Sequence, residues 1–257
     1  MADSVPGGFA DWDAVVAWDY DGVVTVWRLC RGDERRFLKV RRRGRQHYSL
    51  ADERDRLSWL RGRIRIPEAI DYGIDGDHEW LLLSPLPGRD ATDDELRSNP
   101  TGLVPAIARG LRVFHESVPA AECPFAFTND VAIAHVRQRL AAGVFDDAYD
   151  WHTEFAHFSG AEAVARLEEL RPPDEDLVVC HGDYCFPNVL IEDDEVTGYL
   201  DLGELGIADR WWDIAVGAWS SVWNLGPGYE ELFYASYGVE PDRRRIEFYR
   251  LLYCLAS

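Results

Sequence analysis

Three oxygen-bearing side chains define the chemistry this chain is equipped for. Asp183 lies in the stretch His181-Gly182-Asp183-Tyr184-Cys185-Phe186-Pro187-Asn188. Asn188 follows it by five residues, and Asp201 opens Asp201-Leu202-Gly203 thirteen residues later. Carboxylate and carbonyl oxygens suit Mg²⁺, which completes its shell with phosphate oxygens. An acid just upstream of such a pair is left to receive a substrate hydroxyl. This is the residue set of phosphoryl transfer: an Asp, an Asn five residues on, then a metal-binding Asp before Gly. Where that template has Arg between His and Asp, this chain has Gly182.

Several elements must position these groups. Leu177-Val178-Val179-Cys180 reads as a short buried strand delivering the His181 loop. Val189-Leu190-Ile191 and Val196-Thr197-Gly198-Tyr199-Leu200 flank an acidic turn, Glu192 to Glu195, which predicts a hairpin. With Ile191 opposite Val196, Asn188 stands opposite Tyr199. Asp201 then falls on the same face as Asn188, roughly 7–8 Å away on the diagonal, where one Mg²⁺ takes an oxygen from each.

A cation for the phosphates comes from the N-terminal half. Of 27 basic residues only Lys39 is a lysine, which hints that a compact point charge is required there. Arg36 to Val40 alternates as a strand, with Phe37 and Lys39 on one face. Leu50 to Leu60 reads as a helix in which Leu50, Glu53, Leu57 and Leu60 share a stripe. Glu53 therefore points toward the interior, and a buried carboxylate needs a partner. Lys39 is the natural one, and a Lys–Glu pair is the device that aims a lysine at ATP phosphates. The adjoining run Arg41-Arg42-Arg43-Gly44-Arg45 reads as a solvated loop.

Length and composition bound the rest. A chain of 257 residues, 47% hydrophobic and 12% aromatic, makes one large domain or two lobes around a cleft. The net charge of −19 argues against nucleic acid as a partner and favours attraction of a cationic substrate. No run of eighteen apolar residues exists, so no membrane span is expected. Met1 to Asp13 lacks the pattern of a signal peptide, so the expected compartment is the cytoplasm. The five cysteines form neither a CxxC pair nor a zinc pattern and read as reduced and mostly buried.

Other elements follow from periodicity. Ala14 to Ala17 and Val23 to Leu29 read as strands around a turn at Gly22. Glu79 to Leu83 is a strand, and the Pro/Gly connector after it places a lobe boundary between residues 84 and 85. Leu103, Val104, Ile107, Leu111 and Phe114 form a helical stripe ending near His115, which reads as structural. Two helical segments lie within 129–170, around an acidic and aromatic stretch at 145–154. Trp212 to Trp223 is a core helix whose Asp213 either caps it or ties down the Asp183 loop, and a last helix runs from about Pro241 to Leu255.

The stretch His181 to Asn188, followed by Asp201-Leu202-Gly203-Glu204-Leu205-Gly206-Ile207-Ala208-Asp209-Arg210-Trp211-Trp212-Asp213-Ile214-Ala215, resembles the aminoglycoside phosphotransferase family. Within it, the resemblance is to the 3'-phosphotransferases. Cys123-Pro124-Phe125 and Phe248-Tyr249-Arg250-Leu251-Leu252 add to it, and the likeness runs from about residue 18 to the C-terminus. It implies an α+β, bilobal, protein-kinase-like fold: a small β-rich N-lobe with one key helix (residues 1–84) and a larger, mostly helical C-lobe (85–257). It implies ATP and Mg²⁺ as cofactors and a small-molecule hydroxyl as acceptor, a cationic aminoglycoside in most of the family. Asp183 would be catalytic, Asn188 and Asp201 the metal ligands, and Lys39 and Glu53 the phosphate-binding pair. Gly22 would lie over the phosphates, and the connector backbone at Ser84 and Leu86 would meet the adenine. Asp146, Asp150 and Glu154 would offer carboxylates to substrate amines.

The chain departs from the family in four places. The loop after Gly22 lacks the usual Ser-Gly-Ala, Glu204 stands where Arg is frequent, and Trp219 replaces a polar residue. The usual Leu-Leu-Asp-Glu ending is Leu251-Leu252-Tyr253-Cys254 here, which leaves the Ser257 terminal carboxylate as the acid near the end. A narrowed or shifted acceptor range is therefore expected, with Glu204 and Ser257 as further candidate contacts. Two other readings stay open: a kinase of another hydroxylated small molecule, and a non-catalytic nucleotide-binding pseudokinase. The irregular glycine loop favours the second and the intact polar set opposes it. A protein kinase is disfavoured, because no activation-loop-length segment or Ala-Pro-Glu follows Gly203.

Overall fold

The computed structural model describes residues 5–20, 22–44, 48–145 and 152–256. The chain divides into two compact units, Met1–Gly88 with Thr197–Glu204, and Arg89–Val196 with Leu205–Ser257.

The first unit is built on five antiparallel strands: β1 (Asp13–Tyr20), β2 (Val24–Arg31), β3 (Glu34–Arg42), β4 (Ala69–Asp75) and β5 (His78–Leu83). They stand in the order β1-β2-β3-β5-β4, so β3 is central, and Lys39 faces Val26 on one side and Leu81 on the other. Strand alternation sends Leu38 and Val40 into a core with Phe9, Leu29 and Leu82. The unit's helix, α1 (Leu50–Leu60), begins at a capping box. Ser49 Oγ accepts from Asp52 N, and the Asp52 carboxylate accepts from Ser49 N. That start fixes the helical phase, so Leu50, Glu53, Leu57 and Leu60 are all buried, the stripe the sequence predicts.

One local expectation is corrected here. Arg42, Arg43 and Gly44 are exposed as a solvated run would be, but Arg41 is buried. It stands opposite Glu79 in the β3–β5 register, and its Nε donates to Glu79 Oε1 across 2.8 Å. The strand continues into the basic run, and alternation turns this one arginine inward, where an acid meets it.

The second unit is mostly helical. After β6 (Arg89–Asp90) come α2 (Asp94–Arg97), α3 (Pro100–Ser117), α4 (Asn129–Ala141) and α5 (Gly160–Leu170). Then follow β7 (Leu177–Cys180), β8 (Val189–Glu192), β9 (Glu195–Tyr199) and β10 (Gly206–Asp209). Three helices close the chain: α6 (Trp211–Leu225), α7 (Glu230–Tyr237) and α8 (Arg243–Ala256). Helix α6 is buried on every face from Trp211 to Ser221, because α3, α7 and α8 all pack on it. β8 and β9 are joined through Asp193 and Asp194, both at positive φ (53° and 61°), the two-residue turn that suits the twist of a hairpin. β7 pairs antiparallel with β10, Cys180 opposite Gly206, so the loop that begins at His181 leaves from the end of a paired strand.

All five cysteines are unpaired with one another, and three of them are buried. Among the described residues no helix is long and apolar enough to cross a membrane.

Candidate active site

In the first unit the polar site is centred on Lys39. Its Nζ donates to Glu53 Oε2 at 2.9 Å and to Asp201 Oδ1 at 2.7 Å. Both Lys39 and Glu53 are nearly inaccessible, at 4% and 1% exposure, so this is a desolvated pair. Burial alone would lower the lysine's pKa, but the Asp201 and Glu53 carboxylates outweigh it and hold the ammonium well above its ordinary range. Burial pushes the Glu53 carboxyl upward against the opposing pull of Lys39. Asp201 is held at φ 55°, a left-handed conformation uncommon for a residue with a side chain.

Tyr48 completes this cluster and was not found from the sequence. Its hydroxyl donates to Asp201 Oδ1 at 3.2 Å, and burial, then the Asp201 charge, keeps the phenol protonated far into the alkaline range. The Arg41 guanidinium lies over the Tyr48 ring and donates to the Tyr48 carbonyl. Gly203 makes room for the ring, since a Cβ there would stand 2.0 Å from Tyr48 Cε2. Glu204 is half-buried close enough to Tyr48 for its charge to act on the phenol.

Gly22 sits in the β1–β2 turn at φ 69°. Its N–H donates to Asp19 Oδ2 at 3.2 Å, while Thr25 Oγ1 donates to Asp19 Oδ1 at 2.6 Å. An acid thus fastens the turn from inside. Ser84 exchanges two bonds with Glu68, its N–H to the carbonyl at 3.0 Å and its Oγ from the amide at 2.8 Å. Leu86 follows on the connector, half-buried.

In the second unit the Asp183 loop is held at almost every residue. Asp213 on α6 accepts from His181 N at 2.6 Å and Gly182 N at 2.9 Å, so it ties the loop down and does not cap the helix. His115 Nε2 lies 2.9 Å from the same carboxylate and its Nδ1 2.8 Å from Tyr237 Oη, a structural role as predicted. Cys180 lies close to both, which makes a buried His-Cys-Asp cluster. Its thiol is driven upward by burial and then by Asp213, and its Sγ donates to the Asp209 carbonyl at 3.3 Å. Trp212 Nε1 donates to the Gly182 carbonyl at 2.6 Å, and Tyr184 Oη to the Ile107 carbonyl at 2.9 Å. His181 is fully buried, and its Nδ1 accepts from Asp183 N at 3.3 Å, so it braces the loop.

Asp183 is half-buried at the loop's tip. Asn188 Nδ2 donates to its carbonyl at 2.9 Å and to its Oδ2 at 2.8 Å. Cys185 Sγ donates to Oδ1 at 3.1 Å, and Tyr253 Oη donates to the same oxygen at 2.8 Å. Asn188 reaches Asp183 from within the same loop, a contact the spacing alone did not predict; Tyr253 enters from α8, 70 residues away.

The predicted substrate acids fare differently. Asp146, Asp150 and Ser257 lie outside the described residues. Glu154 is described, and Arg250 Nη1 stands 3.6 Å from its carboxylate. Arg250 also donates to Glu230 and lies over the Trp219 ring. Burial raises the Glu154 carboxyl's pKa, and Arg250 opposes that rise. Beside them His152 packs on Trp219 at 3.9 Å between ring centres, and Trp219 on Trp223 at 4.8 Å. Arg250 was read only as part of a family motif, although an arginine amid Phe248, Tyr249, Leu251 and Leu252 is itself a sign of a buried partner.

Known proteins resemble this chain over nearly its whole length. The profile of the phosphotransferase enzyme family matches residues 21–249. An aminoglycoside 3'-phosphotransferase of Streptomyces fradiae is 36% identical over 94% of both chains, and one of Streptomyces ribosidificus is 34% identical over 90% of this chain and 91% of its own. The crystal structure of a type VIII aminoglycoside 3'-phosphotransferase superposes with a TM-score of 0.85 at 32% identity, covering 97% of this chain and 95% of that one. An aminoglycoside phosphotransferase of Streptomyces rimosus, solved with ADP and streptomycin, gives 0.75 at 29% identity over 98% and 94%. The two units carry the kinase-like fold of these enzymes, and the chain belongs to the aminoglycoside phosphotransferase family.

Proposed function

We propose that this chain transfers the γ-phosphoryl group of ATP to a hydroxyl of an aminoglycoside. The observation that carries the reading is the desolvated Lys39, held between Glu53 at 2.9 Å and Asp201 at 2.7 Å. Glu53 orients the ammonium, and Lys39 binds the α- and β-phosphates. Asp183 aligns the acceptor hydroxyl. The acceptor oxygen bonds to the γ-phosphorus, the bond to the β–γ bridging oxygen breaks, ADP leaves, and the acceptor proton passes to Asp183. Most of the rate enhancement comes from placement and charge.

The donor set fits Mg²⁺. Asn188 commits its Nδ2 to Asp183, so its side-chain amide oxygen would be the ligand atom it offers, and Asp201 would offer a carboxylate oxygen. Bound there, Mg²⁺ would neutralise charge on the β- and γ-phosphates. The Gly22 turn and the Ser84–Leu86 connector are the nucleotide-facing backbone of this reading. The likeness to aminoglycoside phosphotransferases and the acidic balance of this chain, −19, support a cationic acceptor. Arg250 beside Glu154, and Tyr253 and Cys254 at positions where the family resemblance implies acids, favour a shifted range, with Glu204 as the compensating acid.

The test is ADP release with ATP and kanamycin, neomycin, streptomycin or hygromycin B, with the products' phosphorylated position assigned by NMR. Turnover of at least one, abolished by chelation and restored by Mg²⁺, is expected. Turnover of a neutral alcohol alone would end the aminoglycoside assignment, and no acceptor-dependent ADP release would end the kinase reading.

A further inference from the structure

We propose that Tyr253 is a positioning residue for phosphoryl transfer: its hydroxyl fixes the orientation of the Asp183 carboxylate. The inference rests on the reading of Asp183 as the group that receives the acceptor hydroxyl. The terminal torsion of an aspartate is broad and roughly two-fold, so the loop backbone alone does not set the direction of its oxygens. Among the described residues, Asn188 Nδ2 reaches this carboxylate on Oδ2, and Cys185 Sγ and Tyr253 Oη reach it on Oδ1. Asn188 and Cys185 belong to the same loop as Asp183 and move with it. Tyr253 belongs to α8, so its 2.8 Å bond ties the reacting group to a second element.

The donor itself is well held. Helix α8 is anchored by the buried Leu251, Leu252 and Leu255 on either side of Tyr253. The phenol ring meets Trp223 at 6.4 Å between centres and 33° between planes, and Trp223 is backed by Trp219 at 4.8 Å. A tyrosine has only two side-chain torsions, so an aromatic neighbour leaves its hydroxyl little freedom. A thiol is a weak donor, which leaves the phenol as the stronger of the two bonds on Oδ1. Tyr253 is itself half-buried and faces the same carboxylate the acceptor must approach.

The experiment is a double-mutant cycle of Tyr253→Phe and Asp183→Asn on the full chain, assayed with ATP and whichever of kanamycin, neomycin, streptomycin or hygromycin B gives the highest kcat/KM. Tyr253→Phe keeps the ring and its packing and removes only the donor. A fall of about tenfold in kcat, with both KM values within about threefold, is expected, since it removes an interaction that matters in the transition state. In the Asp183→Asn background the same change is expected to alter the residual rate by less than about twofold, because its effect runs through Asp183. A raised acceptor KM with unchanged kcat would make Tyr253 a binding contact and overturn the proposal, as would equal falls in both backgrounds. Asp183→Asn with near-parental turnover would overturn the reading of Asp183 and this inference with it. An inactive Asp183→Asn beside an unimpaired Tyr253→Phe would overturn this inference alone.

Discussion

Lys39 Nζ stands 2.7 Å from Asp201 Oδ1, nearer than the 2.9 Å that separates it from Glu53. The lysine is thus shared between a helix carboxylate that aims it and a second acid proposed to hold metal. A guanidinium is a broad planar fork and does not fill a site shaped for a compact ammonium. The Tyr48 ring, 6.0 Å from Nζ, closes the cluster further. Lys39→Arg is expected to lower kcat/KM for ATP by about 10²-fold, the scale of losing one well-placed electrostatic contact. Lys39→Ala should in addition cost about 3–5 kcal/mol of stability, since it strands Glu53 at 1% exposure without its cation. ADP-release kinetics and urea midpoints check the two; full activity in Lys39→Arg would make the single lysine an accident of composition.

Asp213 carries two backbone N–H groups of the Asp183 loop and His115 besides. Asp213→Ala leaves His181 N and Gly182 N buried without their acceptor, at about 1–3 kcal/mol each. The expected outcome is a lower urea midpoint together with a reduced kcat, because the Asp183 loop loses its tether. Intact kcat in a destabilised variant would show that the other loop anchors suffice.

Gly203→Ala places a methyl 2.0 Å from Cε2 of Tyr48. Glycine is needed here for space, and overpacking of this kind costs about 1–3 kcal/mol. Displacing the ring also breaks its bond to Asp201, so KM for ATP should rise. In a Tyr48→Ala background the same substitution should be nearly neutral, a coupling of about 1 kcal/mol or more in the cycle. Additive effects would mean that the two residues act independently.

Burial, and then the Arg250 charge, lowers the His152 imidazole below its usual pKa of 6.5. The folded state therefore binds that proton less readily than the unfolded chain. Its contribution to stability is present above about pH 6.5 and is lost as pH falls through the lowered folded value. The parent should lose more stability than His152→Asn between about pH 7 and pH 5, measured as the difference in urea midpoints. Identical slopes for the two proteins would show that the ring titrates freely despite its packing on Trp219.

Much of this arrangement was legible from the residues alone, because it rests on local rules. A two-residue period on β3 and a helical stripe on α1 were enough to pair Lys39 with Glu53, and the capping box at Ser49 fixed where the stripe starts. The spacing of Asp183, Asn188 and Asp201 carried the reading of phosphoryl transfer, since those residues lie on two loops joined by one hairpin. The tertiary structure decided what periodicity does not encode. β4 carries Gly73 at its middle, and it is a strand because β5 pairs along it and the Trp80 ring lies against that glycine. Arg41 is buried because Glu79 waits opposite, Glu154 is met by Arg250 from a helix 96 positions on, and Tyr48 reaches Asp201. Tyr253 is the sharpest case: as a sequence position it marks only a missing acid, while in the fold its hydroxyl rests on Asp183. Local pattern determines which face of an element is buried; which distant side chain meets it depends on how elements far apart in the chain pack, and no short-range spacing records that.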